Sequence, residues 1–386
     1  MLLALESSLF LLALVLPISI AATNMALGLV TAALIAVSIS GPRPEWRKAW
    51  GPAGACLGLY CAVSLLTSLT GISPAISLHH LPKDIHKLWV FCILLPALRL
   101  SAMRRLPAAL ALGFSFVAIY GIVQLALAWN VSWMRAHAFV HPVTYGEMMA
   151  LGLLGGLAFL SQSRPGPTRR MAGIFILLVT TALIFSKTRG ALLGLAAGLA
   201  AMAWLHPSWR RWVKWGILAA VLGWVAQDLL RHDASLILSI SQGSAAVGTN
   251  PQLDRFILWD AAWRMFKDHP WLGVGPSNYR TAFTGYVSVL VEGERTWGSA
   301  HNLYLHQMAE RGLLGLTALL ALITALLVRA WQRVRQNPDA WALWALGATV
   351  AFFAMNLTEN AFQNEQLTTL FLFSWLCAEA AAAKLI

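Results

Sequence analysis

The segment HNLYLHQMAERGLLG begins at His301 and sets an imidazole, the Asn302 amide and the Tyr304 phenol where a polar stretch meets a long apolar one. A neutral imidazole at such a boundary is suited to general-base work, because it takes up a proton near neutral pH. A polar interface residue with no chemistry is the plainer reading. His306 lies five positions further on, too far round a helix to make a metal pair with His301. The second feature is SKTRG at 186–190, which crowds Lys187 and Arg189 into a very short turn. A guanidinium presents a fork of donors that matches phosphate oxygens. The alternative for both cations is snorkelling towards lipid headgroups. Third is Arg255, at the start of an aromatic stretch, either another anion ligand or half of a structural ion pair.

Other polar groups group with these. Arg135, His137, His141 and Glu147 fall on the same side of the topology derived below. HHLPKDIHK at 79–87 carries Lys83, Asp84, His86 and Lys87, but its spacing fits no common zinc pattern and the lysines oppose a cation, so it reads as a surface-lying segment. There is no G-x-x-x-x-G-K-[ST] and no D-x-D, so neither nucleotide hydrolysis nor a divalent ion for a nucleotide sugar is implied, and no metal or cofactor is expected. Cys56, Cys61, Cys92 and Cys377 all fall in apolar segments without C-x-x-C spacing and read as small core residues. A net charge of +12 could point to nucleic acid, but the basic residues are scattered among short loops, so membrane lipids are the better partner and no nucleic acid is expected.

The elements that must position these groups are membrane helices. The 386 residues are 58% hydrophobic and only 11% charged, with a mean hydropathy of +0.66. Lipid is the solvent such a chain needs, and about 20 apolar residues make a crossing helix. Spans are expected near 5–21, 24–40, 54–70, 88–100, 107–129, 145–161, 171–186, 190–206, 213–229, 303–328, 340–357 and 367–384. The fold expected is therefore all-α and polytopic, with about 12 transmembrane helices.

Loops after even-numbered spans hold Arg43, Arg47 and Lys48; Arg99, Arg104 and Arg105; Arg164, Arg169 and Arg170; Arg210, Arg211 and Lys214; and Arg329, Arg333 and Arg335. With Lys384 they account for 16 of the 28 Lys and Arg, which by the positive-inside rule makes both termini cytoplasmic. The other 12 cations face outward and need a negative partner. Glu147 is nearly the only charge expected deep in the bundle. The chain divides into helices 1–9 at 1–229, an outward loop at 230–302 and helices 10–12 at 303–386. That loop opens with a flexible Gly/Ser/Asn stretch at 241–252. An amphipathic helix at 254–268 follows, with Phe256, Trp259, Trp263 and Phe266 at helical spacing. Pro270 stops it, and WLGVGPSNY makes a turn. Gly190, Gly194 and Gly198 share one helix face, against which another helix should pack closely.

The stretch from Arg255 to Gly315 resembles the signature region of the bacterial O-antigen ligase and polymerase superfamily: R-x-x-x-W, then DHPWLGVGPSNY, then HN, nine residues and GLLG. The topology and the basic TRG turn extend the resemblance loosely over the chain. It implies a GT-C type membrane glycosyltransferase of the bacterial inner membrane, metal-independent, with its site facing the periplasm. Its implied partners are an undecaprenyl pyrophosphate-linked glycan and, for a ligase, the lipid A-core oligosaccharide. His301 matches the family's essential histidine, and Arg189 and Arg255 match arginines of its two periplasmic loops. In this reading Arg189 and Arg255, helped by Lys187, bind the pyrophosphate, His301 is the catalytic base, and Asn302 and Tyr304 support it. The chain's modest length and single loop favour a ligase over a polymerase. A lipid-glycan flippase or transporter is the rival from another class.

Overall fold

Backbone amides in lipid find no water and must bond within their own segment, and the described chain is helical throughout. The computed structural model describes residues 1–41, 46–128, 134–206, 210, 251–287 and 297–384. The helices are α1 (Leu2–Val15), α2 (Ile20–Ser40), α3 (Trp46–Thr70), α4 (Pro74–Leu100), α5 (Leu106–Leu127), α6 (Pro142–Gln162), α7 (Pro167–Phe185), α8 (Arg189–Leu205), α9 (Pro251–Asp268), α10 (Tyr279–Tyr286), α11 (Leu303–Gln336), α12 (Ala340–Met355) and α13 (Glu365–Ala383), with a 3-10 turn at Ala361–Gln363. Four successive helices, α4 to α7, open with a proline in the first turn, where its missing N–H costs nothing. Asp339 and Asn364 cap α12 and α13 through the amides of Ala342 and Leu367.

Seven helices among the described residues are long and apolar enough to cross a membrane: α2, α3, α5, α6, α7, α11 and α13. α1, α8 and α12 are apolar but shorter, and the expected span at 88–100 is the second half of the 27-residue α4. The expected ninth span at 213–229, residues 241–250 of the stretch expected to be flexible, Arg43, Arg211, Lys214 and the side chains of Arg47 and Lys48 lie outside the described residues, and the last two residues of that stretch, 251–252, already belong to α9.

Contacts sort the connections into two ends. At one end Lys384 Nζ donates to the Ser101 carbonyl, the Ala102 amide to Glu6 (3.0 Å) and Gln162 to the Pro338 carbonyl (3.1 Å), while Arg329 and Arg333 both grip Glu379. At the other end Thr188 donates to the Pro142 carbonyl (3.1 Å), Asn364 to Thr144 (3.3 Å) and Gln366 to the Leu16 carbonyl (3.0 Å). The termini and the connections expected on the basic side thus group together, and the site residues lie at the opposite end.

Small residues seat α8 on α12 as the glycine repeat requires. A Cβ on Gly194 would lie 2.8 Å from the Ala351 carbonyl oxygen, and one on Gly198 2.6 Å from that of Gly347. α12 is the hub of the bundle: Trp344 Nε1 donates to the Leu151 carbonyl of α6 (2.8 Å), and Phe352 stacks on Phe371 of α13 at 4.5 Å.

The expected tenth span is not one straight rod. α11 breaks at Gly312, whose φ of +59° is left-handed, and the WLGVG turn fills the break. The Leu313 amide donates to the Pro270 carbonyl (2.8 Å), Val274 N–H to Ala309 (2.9 Å) and Gly275 N–H to Glu310 (2.9 Å). Pro270 to Asn278 is held from the other side by the α3–α4 turn, through Ile72 N–H to the Val274 carbonyl (2.9 Å) and Ser77 to that of Pro276 (2.8 Å). The two halves of the sequence signature therefore interlock, because each supplies hydrogen-bond partners that the other's irregular backbone lacks.

Gly312→Ala is expected to destabilise the protein by about 2 kcal/mol or more, since a side chain in left-handed backbone costs ~1–2 kcal/mol and this Cβ would also overlap the Trp271 carbonyl. Thermal unfolding in detergent measures it. Gly28→Ala, with nothing within 4 Å of the new Cβ, should be neutral or slightly stabilising in the same assay.

Candidate active site

α9 buries Leu258, Ala261, Ala262 and Met265 against the bundle in a small second core with Val274, Tyr279 and Phe283. The aromatic stripe is split: Trp259 packs against this core, while Phe256 and Trp263 remain exposed on the protein, open to a surrounding lipid phase. Tyr279 donates to the Leu258 carbonyl (2.7 Å), locking α10 onto α9. This docking aims Arg255, one turn before Leu258, at the turn between α12 and α13.

That turn carries Glu359. Arg255 Nη2 lies 3.0 Å from Glu359 Oε1, and His301 Nδ1 lies 3.0 Å from Glu359 Oε2. A carboxylate only accepts, so the shared bond puts the imidazole hydrogen on Nδ1 and leaves the Nε2 lone pair for a substrate proton. The Glu359 side chain is 14% exposed, while His301 and Arg255 are 35% and 38% exposed. The carboxylate is shielded and its two partners are open to a ligand. Trp297 stands edge-on to the imidazole at 5.8 Å. His301 itself has a φ of +46°, a left-handed conformation in which histidine is among the less disfavoured residues, and its amide donates to Ser299 Oγ (3.2 Å).

Asn302 and Tyr304 hold this geometry from below. Asn302 Oδ1 accepts from the amides of Tyr304 (3.0 Å) and Leu305 (3.1 Å), capping α11, and its Nδ2 donates to the Leu357 carbonyl (3.0 Å). Tyr304 donates to the Phe353 carbonyl (3.0 Å), and Leu303 N–H to that of Asn356 (2.9 Å). Asn356 in turn accepts from the Ala361 amide (2.7 Å) and shapes the turn around Glu359. The HN pair is therefore bolted to the segment that carries its carboxylate partner.

Arg189 arrives from α8. A Cβ on the neighbouring Gly190 would lie 2.7 Å from Thr358 Oγ1 and 3.9 Å from Glu359 Cγ, so the start of α8 abuts the Glu359 turn. Lys187 sits in the preceding turn at a φ of +51°. Arg135 braces that turn, with Nε donating to the Ser186 carbonyl (2.7 Å) and Nη2 to Thr188 (2.8 Å). His141 caps α6, its Nδ1 accepting from the Val143 amide (3.3 Å). Lost hydration and then the nearby Arg135 cation lower its pKa below the ordinary imidazole value, against an opposing pull from Glu359, with smaller lowering contributions from His301 and His137. A lowered pKa means that the fold prefers neutral His141. That contribution is complete above the ordinary value of 6.5 and is lost as pH falls from there through the lowered one. His141→Gln should flatten this part of a stability-against-pH curve, read by thermal unfolding.

Glu359 is the residue that sequence reasoning missed. The signal was the excess of outward cations, each in need of a negative partner, with MNLTENAF lying in a connection at the same end. Two further expectations are corrected. HHLPKDIHK is a surface segment on one face only: it lies in α4, with His79, Pro82, Lys83 and Ile85 exposed but Asp84 only 5% and Lys87 3% exposed. Nor is Glu147 nearly alone as an interior charge, because Asp84, Lys87, Glu310 and Arg311 are buried as well. Arg311 Nη2 meets Asp84 at 2.6 Å and its Nη1 meets Glu310 at 3.3 Å, and Lys87 meets Asp84 at 2.8 Å. Helical periodicity placed these charges on no common face; only the tertiary contact between α4 and the start of α11 brings them together.

Residues 174–320 match the family model described as O-antigen ligase. Over these 147 of its 386 residues the chain is similar to the O-antigen ligase family. Its O-antigen ligase segment runs from within α7 into the first part of α11, taking in Arg189, Arg255 and His301, while Glu359 lies beyond it. No curated protein matches the chain. Seven helices long and apolar enough to cross a membrane are those of a multi-pass membrane protein, and the matched segment is similar to enzymes of the O-antigen ligase or polymerase type.

Proposed function

We propose that the protein is an O-antigen ligase that moves a glycan from undecaprenyl pyrophosphate to a hydroxyl of the lipid A-core of lipopolysaccharide, at the periplasmic face of the bacterial inner membrane. The observation that carries this reading is the shared carboxylate, with Glu359 bonded to both His301 and Arg255. His301 Nε2 takes the proton of the acceptor hydroxyl as its oxygen attacks the anomeric carbon. The bond from that carbon to the pyrophosphate oxygen breaks on the opposite face, and its electron pair leaves with the lipid pyrophosphate. The configuration inverts. Glu359 steadies the imidazolium that forms, and the proton then passes to solvent.

The growing negative charge on the leaving group is met by fixed cations. A single N–H bond to Glu359 leaves further donors of the Arg255 fork for phosphate oxygens, and Arg189 with Lys187 supplies charge from the flank. These cations do the electrostatic work a metal ion does elsewhere, so the reaction proceeds without one. The proposed division is membrane helices at 1–229 and 303–386, with the outward loop at 230–302 between them and both termini cytoplasmic.

Purified protein in liposomes, given lipid-linked donor and lipid A-core acceptor with chelator and without ATP or an ion gradient, should form the glycosidic product. No product under these conditions, with movement of intact donor across the bilayer, identifies a transporter. In cells, the His301→Ala variant should lose capped core and accumulate long lipid-linked glycan, whereas shortened glycan chains identify a polymerase. The buried charges at Asp84, Lys87, Glu310 and Arg311 do not favour transport, because they are paired with one another between α4 and the start of α11.

A further inference from the structure

Beside the His301 cluster lies a second, separate cavity of about 440 Å³, within the range of small-ligand sites. Its walls bring together Lys83 and Lys87 of α4, Arg280 of α10 and Arg311 of α11, against the one carboxylate of Asp84. Asp84 is already engaged by Lys87 (2.8 Å) and Arg311 (2.6 Å). Glu310, behind Arg311, is held by His306 (3.2 Å) and the Tyr279 amide (3.3 Å). Lys83 and Arg280 are exposed to the cavity and have no ion-pair partner among the described residues. The cavity therefore carries uncompensated positive charge from two unpaired side chains, laid over buried carboxylates that are already engaged by Lys87 and Arg311.

Its position relates it to the transfer site. Gly298, three residues before His301, and Gln363, four after Glu359, both line it, so the two loops that build the His301–Glu359 pair also form its wall. The Pro276–Ser277 turn closes another side, with Ser277 held at a φ of +60°. A lysine and an arginine that converge without a carboxylate, on a preformed wall, suit an oxyanion better than a neutral sugar.

We infer that this cavity binds an anionic substituent, a phosphate or carboxylate, carried by a sugar of the acceptor glycan, and so holds the acceptor with its hydroxyl towards His301 Nε2. The role given to the bound sugar rests on the transfer reading above. The binding itself does not, which keeps the two separable. A phospholipid headgroup shares the same phosphate chemistry, and the assignment made is to the sugar.

The test is binding to the full-length protein in detergent, read by thermal unfolding, with a hexose phosphate, a hexuronate, the neutral hexose and a short-chain phosphatidylglycerol as probes. Three proteins are compared: wild type, Lys83→Gln/Arg280→Gln, and Arg255→Gln. Both substituted cations of the double variant are exposed, and its unliganded unfolding temperature checks that it folds. Hexose phosphate should bind wild type and Arg255→Gln within about twofold of each other and the double variant at least tenfold more weakly, with the neutral hexose giving no shift. Equal binding to the double variant, loss in Arg255→Gln alone, or an equal response to the neutral hexose each overturns the site. Tighter binding of phosphatidylglycerol than of hexose phosphate overturns the assignment to a sugar.

Discussion

Replacing His301 with Ala should slow glycan transfer by about 10²–10⁴-fold, the usual span of a positioned general base, and leave binding of the lipid pyrophosphate donor within a few-fold of wild type. The separation follows from where the side chain points. Its Nδ1 is spent on Glu359, so in the proposed reaction only Nε2 is left for the acceptor, and the donor phosphates are assigned to Arg255 and Arg189 instead. Removing the ring takes away no backbone hydrogen bond: the His301 amide still reaches Ser299, and Asn302 still caps α11. His301→Ala in left-handed backbone costs ~1 kcal/mol, so thermal unfolding should move little. Single-turnover transfer with saturating donor and acceptor is the measurement, and a drop confined to donor affinity would contradict the assignment.

Arg255→Gln should lower transfer by about 10²–10³-fold, the cost of removing one charged donor from a developing oxyanion. Arg255→Lys should recover only part of it, since an ammonium lacks the planar fork that spans Glu359 and a phosphate at once. The salt bridge is not a stability argument: the Arg255 guanidinium is open to solvent, which screens its pairing with the more shielded Glu359, and such surface pairs contribute ~0–1 kcal/mol. Loss should therefore fall on donor KM and kcat together, with unfolding nearly unchanged. A variant that instead unfolds early while keeping normal transfer per folded molecule would make Arg255 a structural ion pair, the plainer reading of its sequence position.

Much of the frame was legible because it rests on short-range patterns. Apolar runs gave the helices, and the four-residue glycine repeat gave the close seat of α8 on another helix, though not that the partner is α12. The HN and GLLG spacing marked the region to which the proposed site is assigned. What stayed hidden depends on irregular backbone. Glu310 and Arg311, just before the break at Gly312, are buried against Asp84 and Lys87, so a charged, proline-containing segment that reads as surface has two of its charges in the interior. Glu359 stayed hidden for a related reason. It lies 58 residues from His301, in a turn whose shape is set by Asn356 and which only tertiary contacts bring to the imidazole. The aromatic stripe of α9 was read correctly as a stripe, but the helix docks through Leu258, Ala261, Ala262 and Met265, because small residues let it approach α11 more closely.

The account treats His301, Glu359 and Arg255 as one working unit. The most direct test is a double-variant cycle on single-turnover transfer in liposomes, with His301→Ala, Glu359→Gln and the two combined. If Glu359 acts through the imidazole, Glu359→Gln alone should slow transfer about 10–100-fold, and adding it to His301→Ala should cost no more than about threefold further. Losses that multiply in full in the combined variant would show two independent sites and contradict the account.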